Sequence, residues 1–139
     1  MSISTVVVSP SSSGSVTLSS GSPFDFPVID PAFLTTQFDI YAMRMAIRSM
    51  LRFVSASTWD GFVTGRAAPF ASVDLSSDDA VDAWARSQAA TTWHPTGTAR
   101  MGQCNDTDSV VDPDLRVKGT KGLRVVDASV LVRLLVVAV

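Results

Sequence analysis

Trp93-His94-Pro95-Thr96-Gly97-Thr98-Ala99-Arg100-Met101-Gly102 sets the tightest limits on what this chain can fold into. It holds the only histidine, fixed between a large aromatic residue and a proline and followed by small residues. Proline restricts the residue before it, and glycine accepts backbone angles that other residues avoid. The pattern predicts a histidine on a constrained turn, then a loop built for close approach. Two further blocks follow, Val111-Asp112-Pro113-Asp114-Leu115-Arg116-Val117 and Gly122-Leu123-Arg124-Val125-Val126-Asp127-Ala128-Ser129. Leu123 to Val126 reads as a buried strand, and the segment from Arg116 to Gly122 as a turn.

Upstream, β-branched content predicts a strand over residues 3–8 and a half-buried strand over Ser15-Val16-Thr17-Leu18, separated by a serine-rich turn and paired antiparallel. Pro27 to Pro31 is expected to be extended. Helical spacing of apolar residues predicts a helix from Asp39 to about Ser55, with Phe38, Tyr41, Met45, Ile47 or Arg48, and Leu51 to Phe53 on its apolar positions. Arg44, Arg48 and Arg52 form a basic stripe on that helix, expected to face solvent. Met43, Met45 and Met50 read as core filler. Ser57 to Gly61 is a short turn, and Gly65 to Pro69 a loop. A second helix is expected after a Ser76 or Ser77 cap, with Asp78 and Asp79 at its positive end and Val81, Trp84 and Ala85 inward.

With 139 residues, 46% apolar and 17% charged, the chain has one domain's worth of sequence and can bury a core. A net charge of −2 lacks the basic face that nucleic acid requires. Cys104 is the only cysteine, which excludes an internal disulfide and reads as a buried thiol. No positively charged segment precedes the apolar residues near Met1, so no signal peptide is expected. The apolar run at the C-terminus contains Arg133 and falls short of the roughly 20 residues of a membrane span. Asn105-Asp106-Thr107 is a glycosylation sequon, meaningful only in a secreted protein.

His94 is the candidate for chemistry, because imidazole transfers protons near neutral pH. Further histidines or clustered cysteines for a metal are missing, as are a G-x-S-x-G nucleophile elbow, a P-loop and a G-x-G-x-x-G turn.

The block from Trp93 to Gly102, the block from Val110 to Gly119 and the block from Gly122 to Leu131 closely resemble, in order and spacing, the C-terminal signature of the glucose–methanol–choline (GMC) oxidoreductases. Ser13-Gly14-Ser15-Val16 is similar to a family strand opening in which arginine stands where Ser13 stands here. Residues 24–34 and 53–56 also look like the family. The style is that of the aryl-alcohol oxidase and pyranose dehydrogenase branch, and the resemblance covers about residues 5–131.

The resemblance implies an enzyme that uses FAD to oxidise the CH–OH group of an alcohol or sugar. The residue matching His94 takes the hydroxyl proton while the α-hydrogen leaves as hydride to the flavin. Trp93 and His94 then lie beside the flavin, and Asp127 and Ala128 match the strand end whose backbone approaches it. Read without the family, Asp127 is a strand-end cap. The implied fold class is α+β, an antiparallel sheet flanked by helices, with a C-terminal segment returning to a Rossmann-like FAD domain. Residues 1–93 would belong to the substrate-binding domain and residues 94–131 to the histidine loop and the return to the FAD domain.

Two departures accompany the match. The glycine-rich dinucleotide turn of the FAD domain is missing. The family also continues after Leu131 with a proline and a second catalytic His or Asn, and residues 132–139 do not follow that pattern. That tail is expected to be intron read-through or a truncated gene model, and the 139 residues alone to be inactive. The alternative is a non-catalytic remnant or interaction module that keeps only the sheet domain. The branch is often secreted; substrate, oligomeric state and location are left open by the sequence.

Overall fold

The computed structural model describes residues 2–132. Among them the fold is α+β, with two α-helices and one two-stranded antiparallel sheet. The chain forms two compact units, Met1–Gly14 with Pro31–Ala90, and Ser15–Asp30 with Thr91–Val139. Apart from Val132, the expected non-family tail lies outside the described residues.

The first unit is built on α1, Gln37–Val54, and α2, Asp78–Gln88. No glycine or proline interrupts α1. The Thr36 side chain caps it by accepting from Asp39 N at 3.2 Å, which satisfies an amide that the first turn leaves unpaired. At its other end the Ser55 amide and hydroxyl both donate to Leu51 O, at 3.1 and 2.8 Å. Ser77 caps α2 through Ala80 N, and Asp78 and Asp79 stand in its positive first turn.

Leu34, Ile40, Ile47, Val81 and Ala85 are the buried core of this unit, with Met43, Leu51, Phe70 and Trp84 against it. Each fully buried Ile or Val contributes roughly 1.5–3 kcal/mol relative to exposure. Phe70 and Trp84 pack with ring centroids 4.5 Å apart and planes tilted by 42°.

The inner face of α1 matches the expected one only in part, at Ile47 and Leu51. Ile40 and Ile47 are buried, whereas Phe38, Tyr41, Met45 and Phe53 remain exposed. Residues 40, 43, 47 and 51 recur at helical spacing and form the inner stripe. Met43 fills core space as expected, but Met45 does not. The arginine stripe is also not simply solvated. Arg44 and Arg48 both pair with Asp78, and Arg44 Nε lies 2.9 Å from Asp82 Oδ1.

No strand forms over residues 3–8. A strand needs a partner for its backbone groups, and β propensity alone supplies none. The segment instead runs to a polar anchor at Asp39. The Asp39 carboxylate accepts from Ser11 N at 2.7 Å, Ser12 N at 2.8 Å and the Ser11 hydroxyl at 3.0 Å. Thr35 N and Thr36 N donate in turn to the Ser12 hydroxyl.

In the second unit β1, Ser15–Thr17, pairs with β2, Val28–Asp30, rather than with residues 3–8. The register sets Ser15 opposite Asp30, Val16 opposite Ile29 and Thr17 opposite Val28. The rest of the unit is held by short backbone ladders around Val111, which is fully buried and bridges both Met101 and Val117. The expected buried strand at 123–126 is reduced to a bridge between Arg116 and Arg124, with Leu123 and Val126 exposed. Val117 N donates to Leu123 O and Val125 N to Leu115 O, too few pairings for a named strand. Burial goes to Val111 and Val130 instead.

Candidate functional site

The histidine loop begins with a strained residue. Trp93 has φ +65°, in the left-handed region that bulky side chains seldom enter. The Thr91 hydroxyl accepts from Trp93 N at 2.9 Å and steadies that conformation. The result turns the indole outward, 84% exposed, with the His94 imidazole also exposed beside it. Pro95 follows, and Gly97 bends the chain back with φ +85°.

Two backbone bonds then fix this loop to the end of the third sequence block. Ala99 N donates to Ser129 O at 3.0 Å, and Met101 N to Val130 O at 2.9 Å. Ala128–Val130 is a single 3₁₀ turn, not the end of a regular strand. Asp127 caps it, its carboxylate accepting from Ser129 N at 2.8 Å. Hydrogen bonds from the Ser129 side chain and amide hold the Asp127 carboxyl below the usual carboxylate range. The reading of Asp127 as a cap therefore holds, on a 3₁₀ turn.

All four sequence-predicted positions meet on one surface. Trp93, His94, Asp127 and Ala128 line a concavity of about 510 Å³, together with Thr96 and Leu131. Thr96, Thr98, Ser129 and Leu131 were not singled out from sequence, although each stands within four residues of one that was. The volume falls within the roughly 300–1,000 Å³ of ordinary ligand sites. An exposed indole and proline give the wall apolar area, and the imidazole is its proton-transferring group.

A second loop buttresses the first from behind Met101. Gly102 N donates to Val111 O at 3.0 Å, and Lys118 N to Val110 O at 3.0 Å. The Lys118 ammonium donates to Gln103 O and Asp106 O, both at 2.6 Å, and to the Ser109 hydroxyl. Asp112 Oδ1 accepts from Asp114 N and Arg116 N, each at 2.9 Å, which closes the Asp-Pro-Asp turn. Cys104 is exposed on this loop rather than buried, because the loop's interior is taken by Lys118 and Ser109.

Residues 10–138 match the family model for GMC oxidoreductase. The chain is 44% identical over 120 residues to pyranose dehydrogenase 3 from Leucoagaricus meleagris, covering 86% of this chain and 20% of that protein. It is similar to the solved structure of a fungal aryl-alcohol oxidase, with TM-score 0.75 and 34% identity over 91% of this chain and 21% of the other. A formate oxidase variant from Aspergillus oryzae RIB40, solved in a study of FAD modification, gives TM-score 0.78 and 38% identity over 88% and 21%. The chain spans between 20% and 22% of the length of the first curated relatives it matches.

Proposed function

This chain belongs to the GMC oxidoreductases, and from that premise we propose that it supplies the proton-accepting histidine of an FAD-dependent enzyme oxidising the CH–OH group of an alcohol or sugar. One observation carries the reading: the exposed His94 imidazole shares a concavity with the Trp93 indole and the Asp127–Ala128 turn. The pyranose dehydrogenase and aryl-alcohol oxidase named above support the substrate class, and the formate oxidase, solved in a study of FAD modification, supports the cofactor.

The residues present fit a flat, polar-edged ring. Trp93 and Pro95 offer apolar wall, and among the described residues the only carboxylate lining the concavity, Asp127, is engaged with Ser129 N. Trp93 and the backbone at Asp127 and Ala128 would hold the flavin, with His94 beside it. When bound, FAD supplies the hydride acceptor.

The chain's own residues do the rest. An unprotonated nitrogen of the His94 imidazole accepts the proton of the substrate hydroxyl. Charge then builds on the substrate oxygen, which makes the adjacent C–H bond a stronger hydride donor. Pro95 and the two backbone anchors at Ala99 and Met101 limit where the loop that carries the imidazole can move. The 139 residues by themselves are proposed to be inactive.

The test is anaerobic bleaching of flavin absorbance by an alcohol in the complete polypeptide encoded by the source transcript. His94→Ala should keep its flavin and bleach roughly 10²–10⁴-fold more slowly than wild type. Bleaching at the wild-type rate would overturn the role of His94.

A further inference from the structure

The loop that buttresses the histidine segment carries a feature the chemistry above does not use. Asn105 is the only asparagine in the chain, and it opens the sequon Asn105-Asp106-Thr107. Asp106 N donates to Gln103 O at 2.9 Å, so Gln103 to Asp106 is a β-turn with Asn105 at its third position. Around it nearly every polar group has internal work. Asp106 accepts from Asp108 N at 2.9 Å, Ser109 is buried under the Lys118 ammonium, and Lys118 takes the carbonyls at both ends of the turn. The Asn105 and Thr107 side chains are among the few that do no such work. Asn105 and Thr107 are both exposed, and neither side chain makes a hydrogen bond among the described residues.

We propose that Asn105 is an N-glycosylation site, taking an oligosaccharide from a lipid-diphosphate carrier on a secretory route. A bond forms between Asn105 Nδ2 and the anomeric carbon of the sugar. The bond from that carbon to the diphosphate oxygen breaks, the diphosphate leaves with the electron pair, and the amide nitrogen gives up one proton. Thr107 supplies the hydroxyl that defines the acceptor motif. The folded loop tolerates the product, because the glycan leaves from a turn tip whose own bonds run inward through Lys118. An asparagine engaged in the turn would lose structure on modification, whereas this one loses none.

The inference is independent of His94, and its test reads mass rather than activity. Trypsin cutting after Arg100 and Arg116 releases one peptide that contains Asn105. The protein purified from its source, without recombinant expression, is digested with and without peptide-N-glycosidase F in heavy-oxygen water. The expected result is a glycopeptide that collapses to a single heavy aspartate at position 105. In a secreting host Asn105→Gln and Thr107→Ala should abolish the glycan, and Thr107→Ser should retain it. An unmodified Asn105 peptide from the native protein, or a glycan that survives in Asn105→Gln, overturns the proposal. The native peptide mass decides the matter even if a variant fails to fold.

Discussion

Arg44 Nε lies 2.9 Å from Asp82 Oδ1, and each side chain retains only 15% of its exposure. The pair joins α1 to α2 beside a hydrophobic core of five buried residues. Removing one member of a fully buried pair costs about 3–5 kcal/mol, because the survivor is left charged and desolvated. Here some solvent remains, and Arg44 keeps Asp78. Asp82→Ala should therefore destabilise the chain by roughly 1–3 kcal/mol. Arg44→Met combined with it should cost less than the sum of the singles, with a coupling of about 1 kcal/mol in equilibrium urea denaturation. Additive losses would mean that the two charges do not interact.

Asp39 makes a pH-dependent contribution whose sign is fixed by its partners. Burial pushes its carboxyl up, but the hydrogen bonds from the amides and side chains of Ser11 and Ser12 outweigh that and hold it at about 2, against an ordinary 3.8. The folded state thus binds the proton more weakly than the unfolded state. The resulting stability is present above about pH 4 and is lost as pH falls towards 2. Its size is about 1–2 kcal/mol, allowing for solvent near Ser11. Asp39→Asn should be less stable at pH 7 and should lack this acid slope. Parallel slopes for wild type and variant in acid denaturation would show that Asp39 is not its source.

Two glycines give opposite expectations for the same substitution. A Cβ on Gly102 would stand 2.3 Å from Asp106 Oδ2 and 2.6 Å from Ser109 Cβ. The aspartate oxygen can swing away, but Ser109 is buried and held by Lys118. Gly102→Ala should cost roughly 1–3 kcal/mol by overpacking. Gly65 has nothing within 4 Å of the same atom and does not need a left-handed backbone. Gly65→Ala should be neutral or stabilising by up to about 1 kcal/mol. Thermal melts of both variants check the contrast.

The sequence was legible where a local rule and the tertiary structure agree. Ser77 was one of two cap candidates for α2, and the candidate site residues sit inside short contiguous blocks that the fold keeps together, whereas the Thr36 cap was missed and α1 begins at Gln37, two residues before the expected start. Burial was harder to read. Phe38 and Tyr41 look like core on α1 because they are large and apolar, yet Ile40 is buried in their stead, beside the expected Ile47. Which stripe turns inward depends on what α2 presents, and a single helix sequence does not contain that. Strand partners are nonlocal in the same way: Ser15–Thr17 had a nearer apolar candidate at residues 3–8 and pairs with Val28–Asp30. Lys118 was invisible, since its three acceptors, two of them backbone carbonyls, are gathered only when the loop closes.

Lys118 yields the sharpest local prediction. Its ammonium replaces water around Gln103 O, Asp106 O and the Ser109 hydroxyl, and charge-assisted bonds of this kind are about twice as strong as neutral ones. Lys118→Met keeps the aliphatic stem but removes all three donors. The carbonyls then turn outward to find water, or stay and pay about 1–3 kcal/mol for an unsatisfied group. Either course loosens the loop before it loosens the helices, because the helical core shares none of these bonds. Hydrogen exchange should therefore accelerate at Asp106 and Ser109, whose amides close the two turns of this loop, and stay unchanged at Val81 in α2. The Ala99 and Met101 amides, which tie the histidine loop to the Asp127-capped turn, are the next to feel it. Their protection should fall by less than that of Asp106. Uniform acceleration across the chain would instead mean that Lys118 supports global stability and not this loop.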